Sequence, residues 1–444
     1  MATGTFLGGI HPYDGKELSK DKETLVLMPE GEMVYPLSQH IGAMAKPIVA
    51  AGDKVLMGQK IAEAGGFVSA CVISSVSGTV KSIEPRLTAS GSKVMSIIIE
   101  NDNEYIPIEG LGNKRDYEKL SKEEIRNYIK EAGIVGMGGA GFPAHVKLTP
   151  KDDNAIDYVI VNGSECEPYL TSDYRMMVEE PEKIVEGLRV ILRLFDRAFG
   201  VIAIEDNKPD AVECIMRAVY AAKDERIIVR TLKTKYPQGA ERQLVYAVTG
   251  RQINSSMLPA DAGCIVNNVD TVIAVGMAVT ESTPLMRRIV TVTGDCIKNP
   301  VNVNVKLGTN LRQVLEAAGG FSIAPQKIIS GGPMMGTALY SLDIPVAKTS
   351  SALLAFSKDE AAGFEPGPCI RCGRCVEVCP GRIIPQKLAE AAQRFDSKAF
   401  VRLDGMECCE CGCCTYVCPA GRRLTQSFKQ MRKSVIAERK AQGK

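Results

Sequence analysis

The sequence predicts a multidomain chain that combines α/β and α+β units, and three observations lead to this fold class. Residues 23–107 contain short apolar runs separated by glycines, a pattern typical of small β domains. Residues 157–279 alternate strand-like and helix-like segments, as α/β folds do. Residues 369–418 contain two cysteine runs of identical spacing. A chain of 444 residues has room for about three or four domains of ordinary size.

Composition narrows the class of protein. The chain is 45% hydrophobic and 24% charged, with a formal net charge of +2, which argues against a dedicated nucleic-acid binder. No apolar run approaches the roughly 18 residues of a membrane span. The first residues lack the basic and apolar regions of a signal peptide. Eight of the 15 cysteines lie in the two regular runs, so we expect a reducing compartment.

The first β segment is similar to a carrier domain. The phrases that begin at Gly52, Gly58 and Ser77 resemble the barrel-sandwich fold of lipoyl and biotinyl carriers. Carriers place a modified lysine in the hairpin between these phrases, where this sequence has Gly65 and Gly66. The sequence therefore predicts a barrel-sandwich hybrid with a docking or structural role and no attached group.

A glycine-rich segment follows a well-marked helix. Ser121 and Glu124 form a predicted capping box, and Gly133 is the predicted end of the helix. The segment 136–141, GMGGAG, then has four glycines in six residues. A plain turn would explain this pattern, and the motif alone is a weak signal. The missing side chains would also let backbone N–H groups approach a phosphate or a planar ring.

An α/β domain is predicted after this segment. Residues 157–162 form a candidate buried strand, and the carboxylates Glu165 and Glu167 follow it directly. Open α/β sheets bind ligands at this edge, although isolated acidic residues are often only surface groups. Later strands and helices are predicted at 199–205 (strand), 209–222 (helix), 226–232 (strand), 239–248 (helix) and 264–279 (strand passing into helix).

The two cysteine runs are an internal duplication, in which each position recurs 39 residues later. Each run has three cysteines at x2 spacing and a fourth before a proline, the pattern of two-cluster [4Fe–4S] ferredoxins. Zinc, the competing interpretation, needs four ligands in two pairs. The fourth cysteine of each ferredoxin run binds the other cluster. The predicted ligand sets are therefore Cys369, Cys372, Cys375 and Cys418, and Cys379, Cys408, Cys411 and Cys414. Cys409 and Cys413 are predicted to be non-ligands.

The order of the motifs resembles a known family. Segments beginning at Gly136, Asn162, Gly239 and Val266 resemble the FMN- and NADH-binding motifs of the complex I flavoprotein subunit. Residues 289–321 resemble its SLBB β-grasp domain. Complex I flavoproteins carry one cluster after this domain, whereas this chain has two. In this respect the chain is similar to the RnfC family, the C subunits of Rnf electron-transport complexes. The GGIHP phrase at 8–12 and the barrel-sandwich before the flavin domain support the same resemblance.

The resemblance implies four domains and a set of site residues. The domains are 1–112 (barrel-sandwich), 113–285 (FMN and NADH binding), 286–350 (SLBB) and 351–444 (two-cluster, ferredoxin-like, with a basic C-terminal helix). FMN and its phosphate would be bound by Gly136, Gly138, Gly139, Lys147, Asn162, Asn267 and Asn268. Glu167 and Glu241 would face NAD(H). Ser164, Ala240 and Arg242 depart from the complex I motifs, so the nucleotide contacts and the choice of NADH over NADPH stay open.

The combination of groups implies a redox function. A nicotinamide nucleotide exchanges two electrons as a hydride, an iron–sulfur cluster passes one, and a flavin does both. The resemblance implies an NAD-linked oxidoreductase, one part of an ion-translocating ferredoxin:NAD⁺ reductase. Its partners would be membrane-embedded and ferredoxin-accepting subunits that pump the ions. The chain itself would be a peripheral membrane protein on the cytoplasmic face of the bacterial cell membrane.

Two other functions stay open at this point. A soluble flavin and iron–sulfur reductase of related build would need no membrane partner, and a relay or scaffold could have kept the fold without the flavin. The intact glycine segment and Lys147 argue against the relay. The basic tail from Arg422 places Leu424, Phe428, Met431 and Val435 on one helical face. That face predicts a surface helix packed on the ferredoxin lobe, with docking on a membrane partner as the alternative.

Overall fold

The N-terminal β domain contains two small antiparallel sheets. The structure is a computed structural model that describes residues 4–441. The strands of this domain are β2 (Glu32–Pro36), β3 (Lys46–Pro47), β4 (Lys54–Val55), β5 (Lys60–Glu63), β6 (Val72–Ile73), β7 (Gly78–Leu87) and β8 (Lys93–Asn101). They form sheets of order β2-β8-β7-β4 and β3-β5-β6. Buried side chains such as Met33, Tyr35, Ile61 and Ile97 fill the space between the sheets. The predicted barrel-sandwich fold is confirmed.

The first strand of the chain lies outside these sheets. β1 (Leu25–Leu27) runs parallel to a strand of the SLBB sheet, in register Leu25 with Val303. Residues 4–24, called here the N-terminal arm, contact the α/β domain through the bridge between Gly4 and Leu232. They contact the cysteine lobe through Gly9 N–H, which donates to the Val378 carbonyl at 2.8 Å. The sequence pattern places β1 with the barrel-sandwich, because a three-residue apolar run carries no information about which sheet it joins. β1 therefore lies within the expected domain 1–112 in sequence but belongs to the sheet of the SLBB domain.

The α/β domain contains the predicted helix α1 (Lys122–Glu131) and a short helix α2 (Ala144–Lys147). Both halves of the capping box are present, with Glu124 N–H donating to Ser121 Oγ at 3.2 Å and Ser121 N–H to Glu124 Oε2 at 2.8 Å. Gly133 follows the helix with φ +66°, a conformation that favours glycine.

A four-stranded parallel sheet forms the centre of this domain, in the order β11-β10-β9-β12. Its strands are β9 (Tyr158–Gly163), β10 (Phe199–Glu205), β11 (Ile227–Leu232) and β12 (Cys264–Asn268). Its helices are α3 (Ser172–Glu179), α4 (Pro181–Leu192), α5 (Pro209–Ala222), α6 (Glu241–Thr249) and α7 (Val269–Thr280). The predicted alternation is confirmed, with α6 starting two residues later than expected. Parallel pairing brings the carboxyl ends of β9 and β12 to the same edge.

The SLBB sheet has six strands, in the order β1-β14-β13-β17-β15-β16. Its remaining elements are β13 (Arg287–Thr293), β14 (Val301–Lys306), α8 (Leu311–Ala317), β15 (Lys327–Ser330), β16 (Thr337–Leu339) and β17 (Ala352–Phe356). β17 pairs with β13 and β15 in the middle of the sheet. The boundary expected at residue 350 therefore falls one strand too early, because the sequence between β16 and the cysteines shows no motif that assigns β17 to either neighbour.

The cysteine lobe is helical. Its helices are α9 (Arg374–Glu377), α10 (Pro385–Gln393), α11 (Ser397–Arg402), α12 (Cys413–Tyr416) and α13 (Leu424–Ala441). The four apolar residues predicted for one face of α13 are buried against α10 and α11. Phe428 lies 6.3 Å from Phe400 between ring centroids. The tail therefore packs as a surface helix on the lobe. In residues 4–441, no helix combines the length and the apolar character that a membrane crossing requires.

Lys348 joins three parts of the chain from a fully buried position. Its ammonium donates hydrogen bonds to the Gly133 carbonyl at 2.6 Å, after α1, and to the Cys71 carbonyl, in the barrel-sandwich. Its backbone N–H donates to Gln39 Oε1 at 3.0 Å. Burial lowers the pKa of this lysine from 10.5 to about 8, because two carbonyls replace only part of the lost hydration.

Folding stability should therefore depend on pH through Lys348. Between pH 8 and 10.5 the unfolded chain holds a proton on this lysine that the folded chain has released. Stability rises with pH in that window, by up to about 3 kcal/mol. We expect the apparent melting temperature of the wild type, relative to Lys348→Met, to be higher at pH 9.5 than at pH 7.5.

The control for this measurement is Lys93→Met, which removes an exposed lysine and should show the same pH dependence as the wild type. A difference between the wild type and Lys348→Met that stays constant with pH would contradict the assignment.

Candidate functional site

The glycine loop, residues 136–143, lies over the carboxyl end of the parallel sheet. Gly136 N–H donates to the Phe142 carbonyl at 2.8 Å, which closes the loop. Met137 N–H donates to Thr271 Oγ1 at 2.9 Å, which attaches the loop to the first turn of α7. The loop therefore faces the ends of β9 and β12, where sequence analysis predicted a ligand.

The glycines of this loop have different surroundings. A Cβ at Gly138 would lie 2.8 Å from the Cβ of Asn268, so Gly138 allows the loop to pack on that residue. A Cβ at Gly139 would meet no described atom within 4 Å, and one at Gly136 would lie 3.6 Å from the nearest atom. The open space is therefore next to Gly139. A ring or phosphate that approached the loop at Gly139 would meet no side chain.

The three predicted asparagines lie at the ends of β9 and β12, where Asn162 and Asn268 are cross-strand neighbours. Asn162 Nδ2 donates to the Gly239 carbonyl at 2.9 Å. Asn268 Oδ1 caps α7 by accepting from Asp270 N–H at 3.0 Å. Asn267 is buried, and its Nδ2 has no hydrogen-bond partner among the described residues. An unpartnered buried amide is costly, so this donor fits a bound ligand at the same edge.

Lys147 and Glu241 also meet at this edge. Lys147 Nζ donates to the Val266 carbonyl at 2.9 Å and lies 3.4 Å from Glu241 Oε1. Glu241 is exposed at the first position of α6. The site thus offers one cation and one accessible carboxylate beside the glycine loop.

Glu167 has contacts that sequence reasoning missed. Its Oε1 accepts hydrogen bonds from Met334 N–H at 2.7 Å and Met335 N–H at 3.0 Å. Burial raises the pKa of this carboxyl, although these two N–H groups act in the opposite direction. Glu167 therefore attaches the SLBB loop 331–336 to the α/β domain, in contrast to the accessible Glu241. The sequence of that loop contains no motif that predicts this contact.

A buried ionic network lies behind the loop that follows β9. Lys16, from the N-terminal arm, lies 3.9 Å from Glu165 and donates to the Glu167 carbonyl at 3.1 Å. Lys208 pairs with Glu205 at 3.1 Å. Burial raises the pKa of Glu165 and lowers that of Lys16, while each partner opposes the shift of the other. The position of Glu165 after β9 is visible in the sequence, whereas its partner Lys16 lies 149 positions earlier in the chain and no local pattern links the two.

Asp173 is a residue of this region that sequence reasoning missed. It accepts a hydrogen bond from Asn268 Nδ2 at 2.6 Å. Burial, together with the nearby carboxylates Glu165 and Asp270, raises the pKa of Asp173 to about 8. Thus Asn268 contacts the glycine loop on one side and the buried carboxyl of Asp173 on the other. The sequence signal is weak, because Asp173 is an ordinary acidic residue in the first turn of α3.

The regular cysteines surround two separate cavities. One is lined by Cys379 with Cys408, Cys411 and Cys414. The other is lined by Cys369, Cys372, Cys375 and Cys418. The fourth cysteine of each run thus lies with the opposite run. Within residues 4–441, no three His, Cys, Asp or Glu side chains converge as the ligands of a single ion would.

The two cavities differ in position. Cys411 and Cys414 are buried, and the off-register Cys409 and Cys413 line the same cavity, called here the inner cavity. Cys369 and Cys372 are exposed at the other, outer cavity. The inner cavity lies against the α/β domain, where Tyr236 OH donates to the Cys411 carbonyl at 2.7 Å. The outer cavity is open to the surface.

Four family models match consecutive parts of the chain. They are an RnfC barrel sandwich hybrid domain (4–104), a Nuo51 FMN-binding domain (129–277), an SLBB domain (289–338) and a 4Fe-4S dicluster domain (368–422). These matches confirm the predicted fold class and the predicted FMN and [4Fe–4S] cofactors.

Solved structures with a similar fold include the NAD⁺-reducing [NiFe]-hydrogenase. Its H₂-reduced state matches with a TM-score of 0.50 and 18% identity over 72% of this chain and 62% of that chain. Its air-oxidized state matches with a TM-score of 0.52 and 20% identity over 74% and 65%. The chain thus spans somewhat less than two thirds of these proteins. At this level of identity the likeness shows a shared fold.

Two curated relatives match over most of their length, and both are the C subunits of ferredoxin:NAD⁺ oxidoreductase complexes. The one from the Na⁺-translocating complex of Acetobacterium woodii is 45% identical over 438 residues, 98% of each chain. The one from the proton-translocating complex of Clostridium ljungdahlii is 43% identical over 390 residues, 88% of this chain and 85% of the relative. The chain therefore belongs to the RnfC family of the ferredoxin:NAD⁺ oxidoreductase complexes.

Proposed function

We propose that this chain is the NAD(H)-binding flavin and iron–sulfur subunit of a membrane ferredoxin:NAD⁺ oxidoreductase complex. One observation carries the proposal. The segment 236–241 contacts both candidate sites: Gly239 accepts from Asn162 at the flavin edge, and Tyr236 donates to Cys411 at the inner cavity. A two-electron site and a one-electron site are thus neighbours in one chain, as this reaction requires.

The residues of the glycine edge fit FMN. Gly139 leaves room for the ring, and Gly138 lets the loop pack on Asn268. Gly136 would lie along the flavin, because a Cβ there would have no neighbour closer than 3.6 Å. Lys147 would bind the phosphate, and the unpartnered Nδ2 of Asn267 would donate to the flavin. Asn162 and Asn268 would line the ring through the parts of their side chains that existing hydrogen bonds leave free. When bound, FMN exchanges a hydride with the nucleotide and single electrons with the clusters.

Glu241 would bind the nucleotide, because it is accessible at the start of α6 and next to Lys147. Glu167 Oε1 already accepts hydrogen bonds from two N–H groups of the SLBB loop, so only Oε2 is available for a nucleotide. Neither carboxylate is needed as a base for hydride transfer, so their proposed roles are orientation and binding.

The cysteine cavities fit two cubanes with crossed ligands. Cys379, Cys408, Cys411 and Cys414 would hold the inner cluster, and Cys369, Cys372, Cys375 and Cys418 the outer one. This arrangement follows the two-cluster ferredoxin rule. Cys409 and Cys413 line the inner cavity as well, and we assign them no ligand role.

We further propose that the chain sits on the cytoplasmic face of the cell membrane, where reduced ferredoxin and NAD⁺ are found, and that partner subunits translocate the ions. The two relatives are named for different ions, Na⁺ and protons. The choice of ion would then belong to the partner subunits.

The function is tested by anaerobic purification and by Glu241→Gln. The wild type should co-sediment with membranes through its partners and contain FMN that NADH bleaches. Glu241→Gln should retain its flavin and raise the KM for NADH about two- to tenfold, the effect of one lost hydrogen bond. Glu213→Gln, an exposed change on α5, is the control.

Two results would contradict the proposal. A chain without flavin would exclude the NAD-linked reaction, and a flavin-loaded chain that never associates with membranes would favour the soluble reductase. Loss of flavin in Glu241→Gln would mean that Glu241 contacts FMN.

Gly139→Leu tests the flavin space without disturbing protein packing. The new side chain would enter the open region beside the loop, whereas a side chain at Gly138 would collide with Asn268. We expect Gly139→Leu to purify as a folded protein with its full iron content and little FMN. Gly363→Leu, whose Cβ would lie 3.8 Å from its nearest neighbour, is the control. Normal flavin content in Gly139→Leu would mean that the loop is only a turn.

Paired cysteine changes test the crossed ligand sets. The wild type should contain about eight iron and eight sulfide per chain. Cys379→Ala with Cys408→Ala removes two ligands from one cavity and should leave about four iron. Cys369→Ala with Cys379→Ala removes one ligand from each cavity and should damage both clusters. If the first pair destroyed both clusters and the second only one, each run would bind its own cubane. About two zinc per chain without sulfide would exclude clusters altogether.

A further inference from the structure

One buried tyrosine of the α/β domain packs directly against the inner cavity. Tyr236 is 2% exposed, and its ring packs with Ile10, Cys411 and Cys413. Its hydroxyl donates to the Cys411 carbonyl at 2.7 Å. One of the inner cysteines is thus connected directly to the segment that follows β11.

The N-terminal arm holds the backbone of this tyrosine. Ile10 N–H donates to the Tyr236 carbonyl at 2.8 Å, and Tyr236 N–H donates to the Ile10 carbonyl at 2.9 Å. This reciprocal pair is an antiparallel bridge, and it restrains the main chain on both sides of the ring. The aromatic ring therefore has little freedom to move relative to the arm.

The same arm also contacts the other cysteine run. Gly9 N–H donates to the Val378 carbonyl at 2.8 Å, directly before Cys379. A Cβ at Gly8 would lie 2.9 Å from the Cys379 carbonyl oxygen, so only glycine allows this approach. Gly8 and Gly9 have φ of +81° and +82°, a conformation that L side chains rarely adopt. Residues 8–10 and Tyr236, called here the arm-and-tyrosine unit, thus contact both Cys411 and Cys379, which belong to opposite cysteine runs.

The same unit reaches the flavin edge. Gly239, three residues after Tyr236, accepts from Asn162 at 2.9 Å, and its N–H donates to Cys166 Sγ at 3.2 Å. Cys166 packs in the same apolar cluster as Tyr236 and Cys411. The chain of contacts from the flavin edge to the inner cavity is therefore short. It runs from the half-buried Asn162 and Gly239 to the buried Tyr236.

We propose that Tyr236, restrained by Gly8, Gly9 and Ile10, is a positioning residue that sets the separation between the inner cluster and the flavin. The inference rests on the proposed function, since it takes Cys411 and Cys379 as cluster ligands. It assigns a specific role to the GGIHP phrase at 8–12, which the family resemblance left without one. The role is to fix distance and orientation, on which transfer between two bound redox groups depends steeply.

Other contacts keep the lobe attached when this restraint is weakened. Arg242 Nη1 donates to Glu407 Oε2 at 2.9 Å, and Ser255 N–H donates to the same oxygen at 2.9 Å. These groups are partly exposed and hold the lobe at its rim. Removal of the Tyr236 hydroxyl should therefore loosen the inner cavity without detaching the lobe.

The experiment uses Tyr236→Phe, which keeps the ring and removes the hydroxyl. The control is Tyr416→Phe, which removes the hydroxyl of a 56% exposed tyrosine in the same lobe. We expect amide hydrogen exchange in the peptide 408–414 to rise about two- to tenfold in Tyr236→Phe alone, as one lost hydrogen bond implies. NADH should bleach the flavin at the wild-type rate. Electron passage from flavin to clusters should slow by about tenfold, since misplacement by 1 Å can cost up to about 10²-fold.

Gly8→Ala tests the arm independently, because its methyl group would push against the Cys379 carbonyl. Gly91→Ala has nearly the same backbone angle, φ +79°, but no neighbour within 4 Å, and so controls for backbone strain. We expect Gly8→Ala to slow cluster reduction and to raise exchange at 376–381, while flavin content, iron content and flavin bleaching match those of Gly91→Ala.

Wild-type exchange and wild-type cluster reduction in both Tyr236→Phe and Gly8→Ala would overturn the inference. Iron and flavin analysis of the wild type separates this outcome from failure of the proposed function. A wild-type chain that lacked clusters or FMN would refute the proposed function. If the chain contains both, and neither Tyr236→Phe nor Gly8→Ala alters exchange or cluster reduction, only the positioning role is refuted.

Discussion

The hydrogen bond from Asn162 to the Gly239 carbonyl is the contact on which the arrangement of both sites depends. It joins the carboxyl end of β9 to the turn that leads into α6. That turn carries Tyr236 toward the cysteine lobe and Glu241 toward the glycine loop. A parallel sheet exposes its strand ends at one edge, so loops from different strands must meet there. The flavin edge and the inner cavity are close because they share this turn.

Buried charge stabilises the same region at a cost. Lys16, Glu165, Lys208 and Glu205 are buried, so each ion loses most of its hydration. A buried ion pair repays this loss only with good geometry and further hydrogen bonds. Here the two lysines also donate to the carbonyls of Glu167 and Ser164. The network attaches the N-terminal arm to the α/β domain, and the same arm then crosses to the cysteine lobe. Because each buried charge has one specific partner, the network fixes the position of the N-terminal arm on the α/β domain.

The sequence predicts the local features of the chain because each of them depends on residues that are close together in sequence. The capping box of α1, the start of α5 at Pro209, and the buried face of α13 all follow from short-range spacing, and all three were predicted. The cysteine spacing predicted two clusters, which the family match confirms. The crossed ligand sets agree with the lining of the two cavities and stay a prediction.

The sequence by itself thus determined the fold class, the order of the domains, the cofactors and the sheet edge proposed to bind the flavin. Only the tertiary structure decided which sheet β1 and β17 join, that Glu167 is held by the SLBB loop, and that Lys16 is the partner of Glu165. It also showed that Gly138 packs on Asn268 while Gly139 faces open space. The physical reason is separation along the chain. These contacts join residues far apart in sequence, or depend on the shape of a space that several domains enclose together, and no local pattern records them.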